Sequence, residues 1–371
     1  MRIGIDARTV LGRKTGDRSY ALGLIHGLAA VGAGHEFFLY VDRDPADELL
    51  PPAPNFIVHI IRRPTGRLWT LLGLPAAAKG HALDVLHVQY MLPLWAPCPM
   101  LTSIHDISFR LHPEWFTLRD RLVMGLGIPG TLRRAAAVLT GSECTRDDLV
   151  REYAVPAGKV RVTPYAAPPE FRSPEPGADV EQICARYGLR RPYVLFVGVL
   201  QPRKNPERIV RAFVEAKRKA GLPHVLAVVG RRGWLYEDLF TTVKALDAEG
   251  DVLFTGYADD EDLPALYTAA DLFLFPTLYE GFGIPILEAF ACGTPTITSN
   301  VSGNAETAGD AALLVDPYSE HQIAAAVVAV LTRPELREAL RRKGRERARE
   351  FTWERAAALT IDCYEQVVEA R

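Results

Sequence analysis

The sequence predicts an α/β protein of two Rossmann-like domains facing a central cleft. Three observations lead to this. Short apolar runs alternate with segments of helical period along the whole chain, as in repeated βα units. Two glycine loops, one carrying Gly12 and Gly16 and one opening at Gly198, each follow a short apolar strand and precede a helix. The length, 371 residues, exceeds what a single core usually serves.

Composition narrows the class. Hydrophobic residues make up 48% and charged residues 24%, the proportions of an ordinary globular protein. No apolar run approaches the ~18 residues of a membrane span. MRIGIDART opens as a strand rather than as a leader. Five scattered cysteines without a C-x-x-C pair predict reduced thiols and a cytoplasmic location, and no metal-ligand spacing is present. Net charge is −2, but residues 1–165 hold 19 Lys+Arg against 15 Asp+Glu, so the first half is basic. That half faces an anionic partner, or the excess is ordinary scatter. Nothing in the pattern suggests nucleic acid.

In the first half, residues 2–6 (RIGID) read as a buried strand. The loop behind it carries Gly12, Arg13, Lys14, Gly16 and Arg18, a basic glycine loop that could hold a phosphate or be a tight surface turn. Leu22, Leu24, Ile25 and Leu28 then fall at helical spacing. Strands follow at 37–41 and 56–61. In RRPTGRLWTLLGLPAAAKG, Trp69, Leu71, Leu72 and Leu74 stand beside Arg62, Arg63 and Arg67. This is either a basic, aromatic lip at a membrane surface or a helix packing on its own domain. Strands at 85–89 and 100–104 lead to His105 and Asp106. Ligands gather at the carboxyl ends of parallel strands, so this pair is a candidate site. Asp106 either orients the imidazole or caps the next turn. Ser142 or Thr145 would suffice as the cap of a helix, and a strand at 160–163 runs into the proline-rich PYAAPPEFRSPEPG. The first domain is expected over 1–170, a linker over 171–190 and the second domain over 191–351.

The second half opens with YVLFV at 193–197, then Gly198 and GVLQPRKN, with Pro206 beginning a helix. Arg203 and Lys204 therefore sit between a strand end and a helix start. Two cations beside helix N–H groups suit a diphosphate; alone they would be a solvated loop. Strands at 224–229 and 252–255 follow, the latter ending at Gly256 and Tyr257. DLFLFPTLYEGFGIPILEAFACG reads as strand, glycine loop and helix, with Pro285 in the first turn and Gly293 as the stop. Amides near Phe282, Gly283 and Ile284 would present to an anion. Glu280 lies on the loop, and Glu288 about one turn inside the helix. The apolar neighbours of Glu288 imply burial, and a buried carboxylate requires partners such as sugar hydroxyls. A strand at 295–299, VSGNAETAGDAALLVDP closing the sheet, and helices at 320–331, 334–350 and 352–371 complete the chain.

EGFGIPILE resembles the E-x7-E signature of retaining glycosyltransferases of family 4, and LYEGFGIPILEAFACGTPTITSN with GDAALLVDP is similar to that family across its donor-binding half. The resemblance implies the GT-B fold, with the last helix crossing back to the first domain. It implies transfer of a hexosyl group, with retention, from a nucleoside diphospho-sugar to a hydroxyl of a glycan or polyprenyl-linked acceptor. Carried over, Glu280 lies near the donor sugar, with His105 facing it and Asp106 beside it as catalytic candidates, and Glu288 holds the ribose. Arg203 and Lys204, in a G-x4-R-K-N phosphate loop with Gly198, hold the diphosphate in place of a metal ion. Many members have Arg directly after that glycine; here it is Val199, which puts the role of Arg203 in question. Gly256 and Tyr257 are placed by the base, Ser142 matches a family serine, and the loop of Gly12, Arg13, Lys14 and Gly16 faces the acceptor. No cofactor is implied. LFVGVLQPRKN is most similar to a mannosyltransferase-like branch that builds cell-surface polysaccharide, which implies GDP-mannose and a cytoplasmic enzyme, either free or peripheral on the inner face of the membrane.

Three alternatives remain at this level. An epimerase shares the fold but consumes no acceptor. A nicotinamide dehydrogenase would explain glycine loops, but neither reads G-x-G-x-x-G. A non-catalytic sugar-nucleotide binder would not need His105, Glu280 and Glu288 together.

Overall fold

The structure is a computed structural model that describes residues 1–12, 15–45, 50–51, 53–172, 179–231, 233 and 237–370. Arg13 and Lys14 of the first glycine loop lie outside the described residues. The chain divides into two compact units, Met1–Ala166 with Phe351–Arg371, and Ala167–Glu350.

The first unit is a seven-stranded parallel sheet in the order β3-β2-β1-β4-β5-β6-β7. Its strands are β1 (Arg2–Asp6), β2 (Glu36–Val41), β3 (Phe56–Ile60), β4 (Val85–Gln89), β5 (Met100–Ser103), β6 (Ala137–Thr140) and β7 (Val160–Val162). Strand order reverses between β1 and β4, so the loops after those strands diverge to opposite sides and open a crevice. The interior strands are buried on both faces, which is why they are mostly apolar, with the polar residues of β4 and β5, such as His87 and Ser103, hydrogen-bonded to each other. β3 is an edge strand and exposes Ile57 and Val58.

The C-terminal helix, Trp353–Glu369, belongs to this first unit. It packs along the Gly16–Val31 helix at Gly23 and Gly27, one turn apart on the same face. A Cβ on Gly23 would stand 2.0 Å from the Trp353 ring, and one on Gly27 would stand 2.2 Å from the Trp353 carbonyl oxygen. The two glycines thus form the groove that seats Trp353. Further along, the Tyr364 hydroxyl meets His87 Nδ1 on β4 at 2.6 Å.

The segment 66–80 is helical, with a π-turn over Trp69–Gly73. Of the two readings of this segment, Trp69 follows the one in which the helix packs on its own domain. Trp69 is fully buried, with the Arg8 guanidinium stacked 3.7 Å over its ring. Leu74 is buried with it, while Leu71 and Leu72 stay exposed.

The second unit is a six-stranded parallel sheet in the order β10-β9-β8-β11-β12-β13. Here β8 is Tyr193–Val197, β9 Val225–Val229, β10 Val252–Gly256, β11 Leu272–Phe275, β12 Thr296–Ser299 and β13 Leu313–Val315. This is the order of a doubly wound dinucleotide-binding sheet, reversing between β8 and β11. Two sequence expectations change. The linker expected over 171–190 contains a helix, Val180–Arg186, fixed to this unit where Arg186 and the Tyr187 hydroxyl donate to Asp262 at 2.7 and 2.6 Å. The stretch read as simply closing the sheet first forms a helix, Ser302–Ala308.

Two outcomes follow for the first unit. Gly to Ala inside a helix ordinarily gains about 1 kcal/mol, but Gly27→Ala should lower the unfolding free energy, because the new methyl meets backbone. Urea denaturation of the variant checks the sign. His87 is buried, and desolvation first, then the neighbouring His105, lowers its pKa from 6.5 to about 3. Unfolded His87 takes up a proton below pH 6.5, whereas folded His87 does not until about pH 3. Stability should therefore fall on acidification through that window, by up to about 1.4 kcal/mol per pH unit for this group. Denaturation curves at pH 7.5, 6 and 5 should show a shallower pH slope for His87→Asn; parallel slopes would mean that His87 does not titrate in this way.

Candidate active site

The second unit's site is built at the β8–β11 reversal. Both strands end side by side, and the two loops that leave them are bonded to each other. Leu278 N–H donates to the Arg203 carbonyl at 2.9 Å, and Asn205 Nδ2 donates to the Pro276 and Pro317 carbonyls at 3.0 and 2.8 Å. Asn205 adopts left-handed φ (+61°) directly before the Pro206–Ala220 helix. Asn tolerates that conformation where a β-branched residue would be strained.

The clasp brings three charged side chains together. Lys204 Nζ lies 2.6 Å from Glu280 Oε1, and Arg203 Nη1 lies 2.9 Å from Glu280 Oε2 and 3.2 Å from the Tyr279 carbonyl. Side-chain exposure is 11% for Lys204, 16% for Arg203 and 10% for Glu280. Lys204 Nζ also lies 4.9 Å from the centre of the Phe275 ring. One carboxylate shared by two cations leaves the cluster one positive charge in excess. Removing the carboxylate from such a buried set typically costs about 3–5 kcal/mol. The two residues expected to hold a diphosphate therefore both grip the glutamate expected to lie beside the sugar.

Backbone approach around this cluster requires glycine at specific positions. Gly283 precedes the Ile284–Ala291 helix with φ +96°, and its Cβ would meet Asn304 Oδ1 at 2.8 Å. A Cβ on Gly303 would meet the Gly281 carbonyl at 2.3 Å, while Gly303 N–H donates to the Glu280 carbonyl at 2.9 Å. Ser302 Oγ accepts from Glu280 N–H at 3.0 Å. The loop of Phe282, Gly283 and Ile284 is thus pressed onto the start of the Ser302–Ala308 helix. Across β8, a Cβ on Gly230 would fall 2.0 Å from the Gly198 carbonyl, so the loops after β8 and β9 touch backbone to backbone.

Glu288 is buried one turn inside its helix, as its apolar flanks suggest, and accepts a hydrogen bond from the Tyr267 hydroxyl at 3.0 Å. Burial, and then Glu288 itself, hold the Tyr267 pKa far above its ordinary value, so the phenol stays a donor. Gly256 ends β10 with φ +76°, and Tyr257 beside it is exposed and donates to Asp260 at 2.9 Å.

In the first unit, His105 follows β5 and is held at both ring nitrogens. Gln89, at the end of β4, donates through Nε2 to Thr9 Oγ1 at 2.9 Å and turns Oε1 toward His105 Nε2 at 2.9 Å. That places the ring proton on Nε2 and leaves Nδ1 to accept from the Tyr165 hydroxyl at 2.8 Å. Desolvation lowers the His105 pKa against the opposing charges of Asp17 and Asp106, so the ring is neutral at pH 7. Asp106 does not bond to the ring; its Oδ1 accepts from Ser108 N–H at 2.9 Å, which is the capping alternative. Ser142 likewise caps its helix, accepting from Thr145 N–H at 3.1 Å. Gly12 and Gly16 flank the undescribed Arg13 and Lys14, and a Cβ on Gly16 would meet nothing within 4 Å. Asn205 enters the sequence reading only as the last residue of G-x4-R-K-N, and Ser302, Gly303 and Asn304 escaped it, as did Gln89 and Tyr165. The three lie in VSGN, a small polar run after an apolar strand; no local signal marks Gln89 or Tyr165.

The chain matches two families in succession, Glycosyltransferase Family 4 over residues 16–171 and Glycosyl transferases group 1 over residues 185–347. It is 35% identical over 268 residues to O-antigen chain mannosyltransferase B of Escherichia coli, covering 71% of this chain and 69% of that protein. It is 31% identical over 325 residues to 2-deoxystreptamine glucosyltransferase of Streptomyces kanamyceticus, covering 85% of this chain and 78% of that protein. Sucrose-phosphate synthase of Thermosynechococcus elongatus has a similar fold, with a TM-score of 0.78 and 24% identity over 100% of both chains. With its two Rossmann-like units and its C-terminal helix returned to the first, this chain belongs to the family 4 glycosyltransferases of GT-B fold.

Proposed function

We propose that this glycosyltransferase moves a mannosyl group, with retention, from GDP-mannose to a hydroxyl of a glycan or polyprenyl-linked acceptor. The observation that carries the reading is the cluster of Arg203, Lys204 and Glu280 at the strand-order reversal, an anion-receptive set on the loops where such sheets take nucleotides. Mannose is favoured by the likeness to the O-antigen mannosyltransferase, and the similar identity to a glucosyltransferase makes the sugar the part to test first.

The diphosphate of the donor takes over the bonds that Arg203 and Lys204 now make to Glu280. The bond between the anomeric carbon and the β-phosphate oxygen breaks, and negative charge grows on that oxygen. Arg203, Lys204 and the first-turn amides at Gly283 and Ile284 offset it, so no metal ion is required in this scheme. The released carboxylate of Glu280 faces the cationic sugar. The acceptor oxygen bonds the anomeric carbon on the face the phosphate leaves, and its proton passes to the departing phosphate. Glu288 accepts from the ribose hydroxyls, and Gly256 and Tyr257 border the base. His105, neutral and fixed by Gln89 and Tyr165, is assigned to the sugar rather than to proton transfer, because both of its ring nitrogens are already bonded.

Calorimetric titration with GDP, UDP and ADP, followed by NMR of the product's anomeric centre, tests donor and stereochemistry together. GDP should bind most tightly and the product should keep the donor's configuration; preference for another base, or inversion, would refute the corresponding part. Lys204→Ala should weaken nucleoside diphosphate binding by about 1–3 kcal/mol, the usual contribution of a charged hydrogen bond, and leave nucleoside binding unchanged. Equal losses for both ligands would place Lys204 away from the phosphates.

A further inference from the structure

The Ser302–Ala308 helix of the second unit opens on a strained residue. Ser302 has left-handed φ (+57°), which a residue with a Cβ rarely adopts. The cap position before it is Val301, which makes no capping bond, so the Ser302 hydroxyl does not close the first turn in the way a capping serine does. It is turned to the neighbouring loop instead. Its Oγ accepts from Glu280 N–H at 3.0 Å and donates to the Val301 carbonyl at 2.7 Å. Gly303 N–H donates to the Glu280 carbonyl at 2.9 Å. The N–H and the C=O of Glu280 are therefore both bonded, to successive residues of one strained turn.

The helix that carries this turn is itself anchored at several points. Asn304 Nδ2 donates to Thr277 Oγ1 at 2.7 Å and to Ser299 Oγ at 2.8 Å, which fixes the helix to the loop after β11 and to the end of β12. Thr307 Oγ1 donates to the Phe282 carbonyl at 2.5 Å. At the far end, Arg347 donates to the Thr307 and Glu306 carbonyls at 3.1 and 2.9 Å. Glu280 thus has two separate attachments to the fold. Its side chain is held by Arg203 and Lys204, and its backbone by Ser302 and Gly303. In the reaction proposed above the first attachment is given up, because the diphosphate takes both cations. The second involves no group that a diphosphate would displace.

We propose that Ser302 is a positioning residue, which holds the Glu280 backbone in place once the carboxylate has been released, so that the carboxylate stays aimed at the donor sugar. The proposal rests on the proposed function, in which Glu280 changes partners during the reaction. Small misplacements of a catalytic group lower turnover steeply, and a loop with Gly281 and Gly283 on either side of Phe282 has little stiffness of its own. The Ser302 hydroxyl supplies the missing constraint at the residue that needs it. A strained backbone persists where the surroundings over-determine it, and such residues collect at functional sites. Glycine at this position would relieve the strain but would leave the Glu280 N–H without its acceptor. Serine keeps that bond at the expense of an easier backbone.

Three substitutions in the full chain separate positioning from stability. Ser302→Gly removes the hydroxyl and relieves the strain, Ser302→Ala removes the hydroxyl and keeps the strain, and Ser302→Thr keeps the hydroxyl and adds strain through its β-branch. Ser302→Gly should therefore melt close to the wild type, and Ser302→Ala and Ser302→Thr lower. Turnover should follow a different order. It should fall at least about fivefold in both Ser302→Gly and Ser302→Ala, the fold-change that a loss of about 1 kcal/mol produces, and be largely retained in Ser302→Thr. GDP affinity should be unchanged in all three. Turnover that ranks as the melting temperatures do, or GDP affinity that falls with turnover, would overturn the proposal. Amide hydrogen exchange over the Glu280 loop should be faster in Ser302→Gly than in the wild type, with and without GDP, and equal exchange would also overturn it. A wild-type chain that neither binds GDP nor transfers a sugar would refute the proposed function, and exchange in the ligand-free protein would still report on the Ser302 bond.

Discussion

The second unit is organised around one buried charge arrangement, in which the Glu280 carboxylate is held between Lys204 and Arg203. Three ionisable groups out of water are costly unless each is bonded in good geometry. The fold meets that condition through position. Strand order reverses at β8 and β11, so the loops that carry the cations and the carboxylate leave adjacent strand ends. Asn205 ties them by its side chain and Leu278 by its backbone. Gly283 and Gly303 let the Glu280 loop and the next helix approach to distances that a Cβ would block. The cluster is satisfied internally, yet retains one excess positive charge. In the proposed reaction the donor's diphosphate replaces this carboxylate as the partner of both cations.

The first unit uses neutral groups where the second uses charged ones. His105 is locked in one tautomer by Gln89 and Tyr165, and a parallel chain runs from Tyr20 through Ser103 and His87 to Tyr364 on the C-terminal helix. Because desolvation keeps both histidines neutral, these side chains work as hydrogen-bonded struts at ordinary pH. The end of the chain is thereby part of the support around β4 and β5. Seating Trp353 against Gly23 and Gly27 is the packing counterpart of the same attachment.

Much of this was legible in the sequence for a physical reason. Strands of a parallel sheet buried on both faces must be apolar throughout, so YVLFV and LFLF could be read directly. Glycine loops followed by proline at a helix start located the loop after Gly198 and the Glu280 loop. An apolar setting for Glu288 implied burial, and Glu288 is buried. What was not legible depends on tertiary partners. Trp69 sits among exposed leucines in sequence, and only the neighbouring Arg8 and the sheet decide which side turns inward. Gln89 and Tyr165 lie 16 and 60 residues from His105, beyond any local pattern. The Val180–Arg186 helix is short and follows a proline-rich run, so composition read as linker. The Ser302–Ala308 helix, rich in small residues, has no apolar period to announce it.

The central claim is that Arg203 and Lys204 exchange Glu280 for the donor's diphosphate. The most direct measurement is thermal unfolding of Glu280→Gln, with and without the cognate nucleoside diphosphate, beside its turnover. Without ligand the variant should melt lower than the wild type, because buried Lys204 and Arg203 lose the Glu280 carboxylate. With ligand it should recover more than the wild type gains, because the diphosphate supplies the anion that the substitution removed, and turnover should be lost. A variant that no longer binds the nucleoside diphosphate while melting as the wild type does would contradict the account, since it would make Glu280 a nucleotide ligand rather than the phosphates' stand-in.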